Sequence, residues 1–260
     1  MIIDSFDDKS KPIMNPGDFY GEKKYYSDIC ILTFSNDILE KAVKEYNAKV
    51  IGFIGSVNGK KNIYLFNYQG RDIVLYLVGV SAPVAHADII ELNWLTGATK
   101  FVMFGSCGNL NKEITKNKFI VPSEAYRDEG VSYHFLKPSD YIKIKNADIV
   151  SNIFDELKVP YIKGRVWTTD CFYMETVNKI KDRVNDGCLA VDMELSGVEA
   201  ACDYYGFDLY DFLATGDTLS LDEYDRSGLN DANNNYDKFL LALEIIKRIW
   251  FLLIMYLTFF

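Results

Sequence analysis

Asp192 and Glu194 stand in "CLAVDMELSGVEAAC" (188–202), a stretch otherwise apolar or built of small residues. Carboxylates seldom enter such surroundings without a partner. A cation on a neighbouring strand or a bound ligand must answer them. A second group is Gly105-Ser106-Cys107-Gly108, directly after the apolar run "KFVMF" (100–104). Glycines let the backbone approach a ligand, and exposed N–H groups beside a serine hydroxyl can hold an oxyanion. By itself the run also reads as a tight turn, and it is not a P-loop because no G-K-[ST] follows. A third is Asp217 in "LATGDTLSLDEYD", just past an apolar strand. A partly desolvated carboxyl there can hold and donate a proton, or serve as a helix cap or loop acid.

The elements that must position these groups alternate. Val191, Met193 and Leu195 alternate with the two acids, a strand pattern, and the small run Ser196–Ala201 predicts a closely packed helix. "ICILTF" (29–34) has the length of a buried strand. Ser35 or Asn36 can cap the next segment, where Ile38, Ala42 and Tyr46 share a helical face. Three apolar runs between 50 and 79, broken at "NGK" and "QGR", predict an antiparallel meander. Residues 84–96 predict a helix, with Val84, Ala87, Ile90, Glu91 and Trp94 at helical intervals. Further strands are expected at "FIVPSEA", "GRVWTTD", "CLAVDM" and "FDLYDFLATG", and helices near 146–157, 174–185 and 233–248. This alternation predicts a single-domain α/β three-layer sandwich, a central mixed β-sheet flanked by helices. Ligands of such sheets sit beyond the carboxyl ends of strands, which brings 105–108, 192–194 and 216–217 toward one shared site.

The 260 residues suit one large α/β domain, and the net charge of −9 argues against nucleic acid as a partner. Five widely spaced cysteines and two histidines form no disulfide or zinc pattern, so a reduced, cytoplasmic setting is expected. The start shows no basic segment followed by an apolar one, so no signal peptide is expected. The organisation read from the chain is an arm at 1–27, a catalytic domain at 28–248 and an apolar tail at 249–260. The tail is too short to span a bilayer, which needs about 20 residues. A buried terminal helix or an oligomer contact is the expectation, with membrane contact or an altered reading frame as alternatives.

Taken in order, "FGSCGNL", "IVPSEAYRDEGVSYHF", "VWTTDCFYMET", "AVDMELSGVEAAC" and "ATGD" resemble the nucleoside phosphorylases of the purine nucleoside and uridine phosphorylase type. The resemblance spans about residues 28–245. "VDMELSGVEAA" is similar to the family's V-E-M-E ribose-binding segment, and "TTDCFY" to a stretch of the uridine phosphorylases. It implies a phosphorylase-like fold and a homo-oligomer, dimer or hexamer. Glu194 would accept hydrogen bonds from the ribose 2′- and 3′-hydroxyls, Met193 would pack on the sugar and Asp192 would lie near it. A carboxylate can serve two vicinal hydroxyls and supports an oxocarbenium-like sugar. Phe172 would stack on the base, and Asp217 would act on N7 of a leaving purine. Uridine phosphorylases read uracil through a Gln and an Arg whose positions here hold Thr176 and Asn178, so a purine is favoured. His134 in "SYHF" lies near the sugar or is structural.

The resemblance fails where phosphate should bind. Met103 takes the arginine position before the glycines, Leu39 that of the N-terminal G-D-P-x-R motif, and Ala48 lies near a third. Gly105, Ser106 and Arg127 are the remaining phosphate candidates, with Lys49 and Arg226 as further cations. The expected reaction is phosphorolysis of a purine nucleoside to free base and ribose 1-phosphate. Hydrolysis of a nucleoside such as methylthioadenosine, uridine phosphorolysis and nucleoside binding without turnover are the alternatives. No metal or organic cofactor is implied; phosphate is the co-substrate.

Overall fold

Apolar runs become strands of one mixed sheet in the computed structural model, which describes residues 1–221 and 223–258. In chain order these are β1 (Ile29–Thr33), β2 (Lys49–Ser56), β3 (Gly59–Tyr68), β4 (Arg71–Leu77), β5 (Lys100–Asn109), β6 (Phe119–Asp128), β7 (Tyr141–Lys143), β8 (Tyr161–Thr169), β9 (Cys188–Asp192), β10 (Asp208–Leu219) and β11 (Tyr224–Asp225). The order across the sheet is β11-β10-β6-β8-β9-β5-β1-β4-β3-β2, and β10 also bonds to β5. Five strands, β5, β9, β8, β6 and β10, therefore close on themselves, while β1 to β4 extend as an open wing. Every residue of β1 and β9 is buried, as expected for strands covered on both faces.

Helices cover the sheet: α1 (Gly17–Tyr20), α2 (Asn36–Glu45), α3 (Ala82–Thr96), α4 (Lys112–Thr115), α5 (Ser132–Phe135), α6 (Ala147–Leu157), α7 (Val177–Asn185), α8 (Leu195–Tyr205), α9 (Leu229–Asn234) and α10 (Asp237–Thr258). Ser35 caps α2, its hydroxyl accepting from the Ile38 amide at 3.2 Å. The meander forms as expected. Between Tyr68 and Arg71, Gln69 and Gly70 both take positive φ (50° and 85°), the turn that suits the twist of paired strands. The small run of α8 is buried from Leu195 to Cys202. A methyl at Gly197 would meet the Ala82 Cβ at 2.8 Å, so the glycine is what lets α8 press against α3.

Four sequence expectations change. The strand at 188 ends at Asp192, because Asp192 turns back to cap α8, so Glu194 starts a helix rather than continuing a strand. The run 105–108 is not a turn; it continues β5, with Gly105, Ser106 and Cys107 paired to Leu213, Ala214 and Thr215. The buried face of α3 is Ala82, Ala85, Asp88, Ile89, Leu92 and Leu95, while Val84 lies on the exposed side. The last helix is two, broken at Asn235–Tyr236, where the Asn235 side chain accepts the Asp237 amide at 2.9 Å in place of a helical bond. Ile249 and Trp250 at the start of the apolar tail are buried; the expectation for its remaining side chains lies outside the described residues. Among the described residues no helix is long and apolar enough to cross a membrane.

Candidate active site

The ends of β1, β5, β9 and β10 and the turn after β8 enclose a cavity of about 940 Å³. It brings together Gly105, Ser106, Phe172, Asp192, Met193, Glu194 and Asp217. These came from four separate stretches of sequence.

No lysine or arginine answers Asp192. Its Oδ1 accepts from the Thr168 hydroxyl at 2.7 Å, and its Oδ2 from the amides of Leu195 at 2.7 Å and Glu194 at 3.1 Å. Those amides are free donors at the start of α8, so the acid acts as the helix cap. The Glu194 Oε1 accepts the Ser81 amide at 2.6 Å. Ser81 holds φ 95°, ψ 144°, a region a non-glycine residue occupies at a cost, and such outliers gather at functional sites. Burial raises the pKa of both acids. For Asp192 the three hydrogen bonds oppose the shift. For Glu194 the neighbouring Asp192 charge adds to it.

At the other end of the cavity Phe172 lies in a single 3-10 turn, Phe172–Met174, half exposed and 4.1 Å from the Tyr173 ring centroid. Asp217 lies within an irregularity of the β5–β10 pairing, between Thr215 and Thr218, and has no register partner on β5. Tyr224 lines the same end of the cavity. Glu175, which sequence reasoning missed, also lines this end. Burial, then the charge of Asp217, raises its pKa to about 7. Its place three residues beyond Phe172 was the available signal.

Below Gly105 and Ser106 the cavity is different. The Ser106 hydroxyl donates to the Asn233 Oδ1, and the Ser35 hydroxyl to the Asn234 Oδ1 at 2.7 Å. Two asparagines of α9 thus occupy the serines of β5 and of the β1–α2 junction. Lys238, 2% exposed, donates to the backbone oxygens of Ala232 at 2.5 Å, Asn233 at 3.2 Å and Gly105 at 3.3 Å. Burial lowers its pKa to about 8. Among the described residues Lys238 and Arg226 are the cations of the lining, against Asp37, Glu175, Asp192, Glu194 and Asp217.

Arg127 is not in the cavity. Its guanidinium is buried: Nε donates to the Ser132 hydroxyl at 2.7 Å, and Nη1 to the Lys137 carbonyl and Ser139 hydroxyl at 2.9 and 3.0 Å, while Nη2 finds no partner among the described residues. The candidate phosphate ligand is thereby corrected to a buried structural arginine. Lys49 lies on β2 and is outside the lining, as are Thr176, the cap of α7, and Asn178. His134 faces a separate shallow pocket of about 420 Å³ with His86, Pro83 and Phe135.

The family profile of the phosphorylase superfamily matches residues 28–244. The chain belongs to this superfamily. A purine nucleoside phosphorylase DeoD-type of Caldanaerobacter subterraneus subsp. tengcongensis is 24% identical over 72% of this chain and 83% of its own length. One of Bacillus cereus is also 24% identical, over 58% of this chain and 66% of its own. The Helicobacter pylori 5′-methylthioadenosine/S-adenosyl homocysteine nucleosidase superposes with a TM-score of 0.68 at 13% identity, covering 86% of this chain and all of that one. An AMP nucleosidase from Bacteroides thetaiotaomicron superposes with a TM-score of 0.66 at 19% identity, covering 86% and 89%. These likenesses share the mixed sheet and flanking helices described above.

Proposed function

We propose that this superfamily member cleaves the N-glycosidic bond of a purine nucleoside and that water is the acceptor. Glu194 takes the ribose hydroxyls, Met193 packs on the sugar and Phe172 stacks on the base. The N9–C1′ bond breaks with its electron pair leaving on the purine, while Asp217 gives a proton to N7. The sugar becomes positive as the bond breaks, and the Asp192–Glu194 pair offsets that charge. Water adds its oxygen to C1′ and returns a proton to a cavity carboxylate, so nucleoside and water become base and ribose.

The observation that carries the choice of water is the fate of Ser35 and Ser106. Both hydroxyls are donated to asparagine side chains, and carboxyls outnumber cations in the lining. A phosphate dianion needs the reverse. Phosphorolysis, the expectation from sequence, is the second reading. The curated phosphorylase relatives favour it, as does the Lys238 ammonium beneath Gly105.

The test is turnover of inosine, adenosine, guanosine, methylthioadenosine and uridine with and without phosphate, with the sugar product identified. Free ribose at a rate indifferent to phosphate is expected with a purine substrate. Ribose 1-phosphate formed when phosphate is present overturns the assignment of water. Faster release of uracil than of any purine overturns the base.

A further inference from the structure

A line of buried hydrogen bonds leads from Arg127 to the carboxyl pair. Arg127 Nε donates to the Ser132 hydroxyl, and the Ser132 amide donates to Glu129 Oε2 at 3.0 Å. Glu129 Oε1 accepts from the Ser196 hydroxyl at 2.9 Å. The Ser196 amide donates to Thr168 Oγ1 at 3.2 Å, and that hydroxyl donates to Asp192 Oδ1 at 2.7 Å. All six residues are buried. None but Asp192 lines the cavity.

The direction of the last two links is fixed. A backbone N–H can only donate, so Thr168 Oγ1 accepts from Ser196 and its single proton goes to Asp192. Thr168 and Asp192 are register partners across β8 and β9, which sets the hydroxyl against the carboxylate. The other oxygen of Asp192 holds the first amides of α8, including that of Glu194. Displacing Asp192 therefore turns the residue that meets the ribose. The Ser81 amide holds the Glu194 carboxylate, so the residue is fixed at its side chain by Ser81 and at its own amide by Asp192.

We propose that Thr168 is a positioning residue for the ribose carboxylates, held on target by Ser196 and Glu129, with Arg127 as the anchor of the line. The inference rests on the proposed role of Glu194 and extends it beyond the cavity. It also gives Arg127 a part in sugar recognition that is purely mechanical.

The test compares kcat/KM for a purine ribonucleoside and its 2′-deoxy counterpart in the wild type, Thr168→Val, Thr168→Ser and Glu194→Gln, with thermal melts to verify folding. Thr168→Val is expected to lower the ribonucleoside value by roughly tenfold to a hundredfold and the deoxy value by several-fold less, because the deoxy substrate lacks one of the two hydroxyl contacts that misplacement weakens. Thr168→Ser keeps the hydroxyl and is expected to restore the ratio. A folded Thr168→Val that lowers both substrates equally, or neither, while Glu194→Gln does shift the ratio, overturns the positioning role. If Glu194→Gln leaves the ratio unmoved, the ribose role of Glu194 fails and the inference fails with it. Should Thr168→Val not fold, Glu129→Gln carries the same comparison. It leaves one of the two donors at residue 129 facing an amide nitrogen, and an unchanged ratio there overturns the proposal.

Discussion

The two halves of the cavity are built differently. At the nucleoside end the polar groups are clamped by backbone amides and buried hydroxyls: Asp192 has three donors, and Glu194 is held by a residue in a strained conformation. At the other end Ser35 and Ser106 bond to asparagines of a six-residue helix, and the nearest ammonium is tied to carbonyls. Preorganised dipoles aimed at a developing charge are what electrostatic catalysis requires. Amide side chains on a short helix are suited to neutral guests. A fold that carries two substrates side by side can thus keep the machinery for one and rebuild the place of the other.

The contrast is sharpest at Asp217. Asp217→Asn is expected to lower kcat by about a hundredfold to ten-thousandfold while nucleoside affinity changes by less than about threefold; steady-state kinetics and calorimetric titration check both. Retained turnover would move the proton donor to Glu175. Next comes Glu194→Ala, expected to cost about a hundredfold to a thousandfold in kcat/KM. Against it, Ser106→Ala in the same assay is expected to cost less than about threefold, because its hydroxyl is already given to Asn233. A loss at Ser106 as large as that at Glu194 would erase the distinction between the halves and favour phosphate.

Beneath the nucleoside end lies a further acid with a smaller expected effect. Asp211 on β10 is 2% exposed, and neither oxygen finds a hydrogen-bond partner of good geometry. Burial pushes its carboxyl well above the usual carboxylate range, and the charges of Asp192 and Glu199 add to this. The folded chain therefore keeps a proton that the unfolded chain releases. Stability is fully present at low pH and is lost as pH rises above about 4 toward the folded pKa. Asp211→Asn removes that linkage. Urea melts from about pH 4 upward are expected to show a shallower fall of stability with pH in the variant, by at most about 1.4 kcal/mol per unit. Glu199, raised to about 8 chiefly by burial, keeps a slope of the same sign in the variant. Smallest is Ser35→Ala, which removes the cap of α2 and is expected to cost about 1 kcal/mol. An unchanged midpoint would show that neither the cap nor the Ser35–Asn234 bond adds net stability.

Much of this arrangement was legible because it is local. The meander followed from turn residues, α2 from its cap, and the convergence of 192–194 and 217 from their places after apolar strands. The glycine run misled for a physical reason. A methyl at Gly108 would meet Leu219 Cδ1 at 2.5 Å and Val191 Cγ1 at 2.8 Å. The glycine is there to admit neighbours across a continuous strand, and a strand crowded from its flanks reads like a turn in one dimension. Arg127 misled in the same way, since "YRDEG" shows the charge but not the carbonyl and hydroxyls ten and more residues away that absorb it. The α9 asparagines were out of reach, because their partners Ser35 and Ser106 lie 199 and 127 residues away.

The two serine–asparagine bonds carry a consequence for traffic. They staple α9 to the ends of two neighbouring parts of the sheet. The turn Phe172–Met174, whose first two residues also line the cavity, is open to solvent, its residues being 50%, 87% and 54% exposed. On the proposed reading, the ring that would stack on the base also stands at the exposed rim, so a nucleoside would enter and a purine would leave past the surface that reads it. Release would then be coupled to recognition: a base held longer at Phe172 would delay the next substrate, and the pace of turnover would be set at the threshold of the cavity as well as at the bond it breaks.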